Sequence, residues 1–377
     1  PTASPLPKGT FDYVKKIVGD YYHLASGKRL HKDSLKVIEK GYMLPPSALP
    51  VGGKTESGNL VLRFGPDWKV PYNVNLIGQS YTSSGTYCIG GYSSGVSAYK
   101  ATGLEIVFYH TAGQSGTIDI ASFPLVASAA WSENAQTNTV TLKLMFKNPG
   151  KFYGFKASYE NNQLVISLHS APPAALGGAV IVLDAGHGGD DSGSLLMASH
   201  ATLTQEKQVT LLLATKMKEK LEAAGATVIM TRTTDASVSR AARSNVARKK
   251  NPDLFFSVHT DSYSSATASG TSAFYYRAYG MPLAKAVHAR IVRAYREQIY
   301  TASSGISNYQ AMLEKVDRGT KFYPYEVTRI EECPAILVEF GFGSNLTECK
   351  ILQNTTKQDI LAQAAVDGIA DYLKAAQ

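Results

Sequence analysis

The sequence predicts two architectures in one chain. An α/β domain, a mostly parallel sheet with helices on both faces, is preceded by a smaller, mainly antiparallel β domain. Three observations carry this. Downstream of residue 178 short apolar runs alternate with helical patterns, and continuously apolar strands separated by helices belong to parallel sheets covered on both sides. Upstream, apolar and polar residues alternate singly, the pattern of strands with one buried face. Between them lies SAPPAALGG, Ser170 to Gly178, whose paired prolines and glycines mark a linker. A chain of 377 residues has room for two cores.

In chain order, FDYVKKIVGDYYHLA comes first, with apolar residues at Phe11, Val14, Ile17, Val18 and Tyr21. That spacing predicts a helix, so residues 1–52 are read as a helical lead or appendage. Residues 53–170 are read as a β-rich domain. Its strand candidates are Leu60 to Phe64, Leu104 to His110, and TVTLKLMFK, where Val140, Leu142, Leu144 and Phe146 share a face. FYGFKASY and NNQLVISLHS follow, joined by Asn161-Asn162 as a hairpin turn. Residues 171–178 are the linker, and 179–377 the second domain. There AVIVLD, TVIMTR, DLFFSVH, SAFYYR and AILVEF read as strands. QEKQVTLLLATKMKEKLEAAG, SVSRAARSNVARKK, MPLAKAVHARIVRAYREQI and KQDILAQAAVDGIADYLKAA read as helices. In the first helix Val209, Leu212, Leu213, Met217 and Leu221 form one stripe, ended by Gly225.

Composition narrows the class. Hydrophobic residues make up 44% and charged residues 18%, ordinary values for a globular protein. No apolar stretch approaches the roughly 20 residues that span a bilayer, and the opening PTASPLPKGT reads as a mature end from which a signal segment has been removed. The net charge of +8 is uneven: Lys plus Arg against Asp plus Glu is 16 to 10 before Ala175 and 22 to 20 from there on. A basic first half suits a polyanionic surface such as a cell wall. No aromatic-studded basic helix or RNA-binding motif points to nucleic acid. Cys88, Cys333 and Cys349 are too few for a disulfide scaffold; they read as isolated thiols, or as one bridge between Cys333 and Cys349.

Four residues carry the chemistry. His187 follows an apolar run in the Gly-rich IVLDAGHGGDDSG, Glu206 opens a helix, His259 ends DLFFSVH, and Glu339 ends PAILVEF. Ligands of parallel sheets gather outside the carboxyl ends of strands, where His187, His259 and Glu339 fall. Two imidazoles and a carboxylate are a common catalytic zinc set with one position left for water, and a further carboxylate nearby can take that water's proton. Each residue also has a plainer reading. The glycine turn is not a phosphate loop, since no Gly-Lys-Ser/Thr follows and GxGxxG fails at Asp191. Asp184 is a partner for the second nitrogen of His187 or a loop cap. Glu206 alone reads as a helix cap, and His259 alone as a core histidine. Glu339 needs a positive neighbour, since a buried unpaired carboxylate costs several kcal/mol; Arg329, Arg318 and Arg232 are the alternatives to a metal. His200 is a further cleft candidate. No GxSxG elbow or activated thiol appears.

These segments resemble the zinc-dependent N-acetylmuramoyl-L-alanine amidases of bacterial cell walls, of the amidase-3 type. The matching pieces are DAGHGGDDSG at 184–193, EK at 206–207, TRTTD at 231–235, RAARSN at 240–245, SVH at 257–259, RG at 318–319 and PAILVEFGFGSN at 334–345, then Glu348. They cover about half the chain. The resemblance implies that His187, Glu206 and His259 hold Zn²⁺, that Glu339 is the catalytic carboxylate, and that Arg329 lies near the site. It implies a secreted or wall-associated hydrolase acting on peptidoglycan and its muropeptides. It makes 179–377 the catalytic domain and 53–170 a candidate for wall targeting. Ala185, Thr260-Asp261 and Gly343 depart from the family pattern; the Asp261 change adds negative charge beside the metal. Two other readings are a peptidoglycan-binding protein with an inactive or down-tuned amidase half, and a zinc peptidase acting on the stem. Glu297, Glu314 and Glu326 are acids available to an inhibited state.

Overall fold

A computed structural model describes residues 6–38, 44–78, 87–88, 91–92, 101–196 and 205–377. The chain forms two compact units, one from residues up to 79 with 100–170, the other from 80–99 with 171–377. The first unit is a β-sandwich. Its five-stranded sheet runs in the order Thr111–Ile118, Ser47–Glu56, Asn59–Phe64, Gln163–Leu168, Phe155–Glu160. Its four-stranded sheet runs Val126–Asn134, Thr139–Phe146, Gly103–Tyr109, Tyr72–Ile77. Neighbours are antiparallel except the first pair of the larger sheet. The alternating residues read from sequence face inward: Val140, Leu142 and Leu144 are fully buried, as are Leu60, Leu62, Leu164 and Ile166. Phe64 of one sheet meets Phe108 of the other at 4.6 Å between ring centres. Asn161 and Asn162 both adopt positive φ, 47° and 67°, as a type I′ hairpin requires.

The expected helical lead is corrected. Val14–Val18 and Tyr21–Leu24 are antiparallel strands, joined by Arg29–His31 into a three-stranded meander. The stripe at 11, 14, 17, 18 and 21 fits a helix, but the run is β-branched and aromatic. Gly19, at φ 56°, supplies a two-residue turn between Val18 and Tyr21. The boundary at 52 is corrected too, because it falls inside the strand Ser47–Glu56.

The second unit contains β1 (Val180–Ala185), α1 (Glu206–Ala223), β2 (Thr227–Met230), α2 (Arg240–Lys250), β3 (Leu254–Asp261), β4 (Thr271–Tyr275), α3 (Met281–Ala294), α4 (Tyr309–Lys315), β5 (Asp317–Phe322), β6 (Ala335–Phe342), α5 (Leu346–Gln353) and α6 (Thr355–Ala375). The sheet order is β2-β1-β3-β6-β4-β5, parallel throughout except between β6 and β4. Helix α1 packs on β1 and β3, α3 on β4 and β6, and α6 against both helices. The opposite face is covered by α2 and the turn at Val327–Arg329, over a core of Val182, Ala247, Phe255, Phe274 and Leu337. Central strands are largely buried: β6 is buried from Ala335 to Phe342, and β3 from Leu254 to Val258. That burial explains their continuous apolar sequence. Strand β5, DRGTKF, escaped the sequence reading because a sheet edge tolerates charge. Cys333 and Cys349 are buried free thiols, so the bridge between them does not form.

Candidate metal centre

The carboxyl ends of β1, β3 and β6 lie side by side, with His259 directly across from Glu339 in the β3–β6 register. The chain leaves β1 through Gly186, whose N–H is tied to the Val258 carbonyl at 3.1 Å. A Cβ on Gly186 would sit 2.5 Å from the His259 ring, so only glycine lets the two strand ends close. His187 then adopts φ 60°, a left-handed conformation that costs a non-glycine residue about 1–2 kcal/mol. At Gly193, φ 66°, a Cβ would lie 2.6 Å from Glu206 Oε2 and 2.7 Å from His187 Cδ2. Glycine is needed here for space and conformation together.

Helix α1 delivers the third group. Its capping is done by Gln205 and Gln208, which form a reciprocal box. Glu206 is thereby released from the capping role its position suggests. Its carboxylate is buried and turns into the cluster. Oε1 lies 3.2 Å from His187 Nε2 and 3.0 Å from His259 Nδ1. The Thr260 N–H donates to Oε1 at 3.0 Å, and the Ser194 N–H to Oε2 at 2.8 Å. One donor atom from each of His187, Glu206 and His259 falls within 4.8 Å of the other two.

Charge in this cluster is strongly biased. Burial opposes ionisation of both Glu206 and His187, and their mutual contacts outweigh it. Bonds from His187 and His259 hold the Glu206 carboxyl far below its ordinary range. Glu206 and then Asp191 raise the His187 imidazole. Asp191 Oδ1 lies 2.9 Å from His187 Nδ1, so that nitrogen carries the ring's proton in the neutral form. Nε2 then points a lone pair at a carboxylate oxygen 3.2 Å away. Two acceptors face each other only with a cation between them, either a second proton or a metal. Ligands of a tetrahedral zinc bound at 2.0–2.1 Å stand about 3.3 Å apart, close to the 3.2 and 3.0 Å between Glu206 Oε1 and the two imidazoles. The donor set therefore fits such an ion.

Glu339 stands beside the cluster. It is buried, and its Oε2 has no hydrogen-bond partner among the described residues. Burial, then the charges of Glu206 and Asp261, push its carboxyl well above the usual range, and Lys321 pulls the other way. The positive neighbour is thus Lys321, in place of Arg329, Arg318 or Arg232. Arg318 lies over the Phe342 ring at 4.8 Å. Burial lowers the Lys321 ammonium and raises the Asp261 carboxyl.

The structure brings together His187, Glu206, His259 and Glu339. Arg329 carries a half-exposed guanidinium held by Glu326 three residues earlier. Asp184 is not the partner of His187: it accepts from Thr231 Oγ1, Ser257 Oγ and Arg243 Nη1, each at 2.6 Å. Asp191 takes that role. Glu297 pairs with Arg293. His200 lies outside the described residues.

Comparison with known proteins gives the family of this domain. Residues 181–371, half of the chain, match the family model described as N-acetylmuramoyl-L-alanine amidase. A probable cell wall amidase of Staphylococcus aureus, LytH, is 32% identical over 222 residues, 59% of this chain and 68% of the relative. The catalytic domain of CwlV, an N-acetylmuramoyl-L-alanine amidase from Bacillus (Paenibacillus) polymyxa, is 29% identical, covering 52% of this chain and 98% of that one, with a TM-score of 0.45. An N-acetylmuramoyl-L-alanine amidase from Clostridium difficile 630 is 28% identical over 52% of this chain and 97% of its own, also with a TM-score of 0.45.

Proposed function

The chain belongs to the N-acetylmuramoyl-L-alanine amidase family, and on that premise we propose that it is a zinc-dependent peptidoglycan hydrolase whose metal is held by His187, Glu206 and His259. The bond cut is the amide between the lactyl group of N-acetylmuramic acid and the L-alanine of the stem peptide. The observation that carries this is the convergence of those three donors from separate segments, with the buried Glu339 carboxylate, its Oε2 unpartnered among the described residues, next to them. When bound, zinc supplies Lewis-acid activation of water and polarises a carbonyl.

The chain's own residues do the rest. Asp191 fixes the tautomer and orientation of His187. The Thr260 and Ser194 N–H groups fix both oxygens of Glu206. Glu339 takes a proton from the attacking water and delivers it to the departing L-alanine nitrogen. A carboxylate raised by burial is the better base for this task. The basic β-sandwich, 16 cationic side chains against 10 acidic before Ala175, supports a role in holding the enzyme on an anionic wall. The place of work is the wall, outside the membrane.

Digestion of defined muropeptides with and without chelator tests this reading. Mass analysis is expected to show an intact stem with a free L-alanine amino terminus, and no product under chelation. Cleavage within the stem would make the protein a peptidase. Sedimentation with peptidoglycan but no new amino termini would make it a wall-binding protein.

Proton competition gives a second expectation. In the metal-free protein Glu206 and Asp191 raise the His187 pKa, so wherever the imidazole is still protonated zinc uptake must release a proton. Below the raised pKa, zinc affinity should climb about tenfold per pH unit and then level off. Titration with a competing chelator between pH 5 and pH 8, roughly the range around an ordinary histidine pKa, checks it; a flat profile contradicts it.

A further inference from the structure

Two buried arginines beneath the cluster have no part in the chemistry above. Arg232 and Arg243 are 4% and 5% exposed. Arg232 donates through Nε to the Ala185 carbonyl at 2.9 Å and through Nη2 to the Gly186 carbonyl at 2.8 Å. The same Nη2 reaches the Lys207 carbonyl at 2.7 Å and Thr210 Oγ1 at 3.1 Å. Arg243 donates through Nη1 to the Ala185 carbonyl at 2.7 Å and through Nη2 to the His187 carbonyl at 2.6 Å. Three successive carbonyls, those of residues 185, 186 and 187, therefore all point at guanidinium groups. Arg232 also joins this loop to residue 207, next to Glu206, and so spans two of the three ligand-bearing segments. Thr210 Oγ1 adds a bond to the Gly186 carbonyl at 2.7 Å.

Electrostatics alone argues against this arrangement. Arg243 contacts the buried carboxylate of Asp184, but the described donors of Arg232 all end on carbonyl or hydroxyl oxygens. A buried guanidinium with no carboxylate hydrogen-bonded to it, only the charges of Asp235 and Asp184 acting without such a bond, sits beneath a site for a divalent cation, where like charge is unfavourable. What the guanidinium offers is a rigid fork of donors, which an ammonium lacks. The His187 backbone meanwhile holds a φ of 60°, a conformation that persists only where the surroundings over-determine it.

We propose that Arg232, with Arg243, is a positioning residue: a guanidinium clamp on the 185–187 carbonyls that holds His187 in its left-handed conformation and sets its imidazole against Glu206 for metal binding. This rests on the zinc reading above. The clamp makes geometry, not charge, the contribution of Arg232, and that separates two variants. R232K keeps the charge and loses the fork; R232M loses both.

Zinc affinity of the full chain, measured by competition with a chromophoric chelator, is expected to fall about 10–100-fold in both, the range for groups that orient metal ligands. The visible spectrum of the cobalt-loaded protein should change in step. T210V, which removes the hydroxyl that donates to the Gly186 carbonyl and accepts from Arg232 Nη2, should weaken zinc about fivefold. Wild-type affinity in R232K, or tighter binding in R232M, overturns the clamp and leaves an electrostatic role. If the arginine variants do not fold, unchanged affinity and cobalt spectrum in T210V overturn it instead. A wild-type chain that holds no zinc overturns the metal reading and the clamp with it, an outcome distinct from a zinc-loaded wild type matched by R232K.

Discussion

Glu339→Gln is expected to lower the release of L-alanine amino termini from muropeptides about 10²–10⁴-fold, the usual contribution of a positioned general acid–base group. Zinc should stay bound, because Glu339 is not among the three converging donors. The same substitution is expected to raise the melting temperature of the metal-free protein. Glu339 is buried with an unpartnered Oε2, and burial holds its folded-state pKa well above the unfolded value of about 4.3. Native protein thus binds that proton more tightly than the unfolded chain does. Stability of metal-free wild type falls as pH rises from about 4.3 toward the raised value, and Gln, which does not ionise, removes that slope. Thermal unfolding of chelated wild type and variant at pH 4 and pH 8 (roughly either side of the usual carboxylate range) measures it. Loss of activity with a gain in stability is the signature of a group kept for reaction and not for folding. Full activity in the variant would remove Glu339 from the mechanism.

That signature bears on what the sequence reveals. Elements buried on both faces were readable because burial leaves one kind of residue: AVIVLD, DLFFSVH and AILVEF became β1, β3 and β6. The site was readable for the same reason. A histidine or glutamate at the end of such a run stands out, and three of the four key residues occupy that position. Partial burial hid the rest. The stripe from Phe11 to Tyr21 serves a helix or a hairpin equally, and the Gly19 turn decided it. The charged β5 carries no apolar pattern because it lies at a sheet edge. The pairing of His187 with Asp191 and not Asp184 depends on a backbone angle of 60° at His187, which residue spacing does not encode. Lys321 faces Glu339 only through the order of strands β6, β4 and β5.

Glu206→Gln is the counterpart to the Glu339 substitution: activity falls in both, but here zinc is lost and the stability effect changes sign. Glu206 contributes one of three protein donors. If the metal's share of binding energy resembles that of structural zinc sites, about 10–16 kcal/mol over four ligands, losing one costs about 3–4 kcal/mol, or 10²–10³-fold in affinity. Activity falls with zinc occupancy. Stability should fall as well, because each carboxylate oxygen accepts a backbone N–H, a buried one from Thr260 and a partly buried one from Ser194. A glutamine has one acceptor oxygen and must turn its NH₂ toward the other donor, leaving an N–H unpaired at a cost of about 1–3 kcal/mol. The pH dependence inverts too. The Glu206 carboxyl is held far below its ordinary range in the metal-free fold, so its stabilisation is present above about pH 4.3 and is lost only as pH falls through the folded value. Chelated E206Q should therefore be less stable than chelated wild type at neutral pH, with the gap closing in acid, whereas E339Q should gain on wild type as pH rises. Metal content after dialysis, with melting curves across that pH range, distinguishes the two. E206Q that retains a full equivalent of zinc would mean that the carboxylate caps the loop and does not bind the ion.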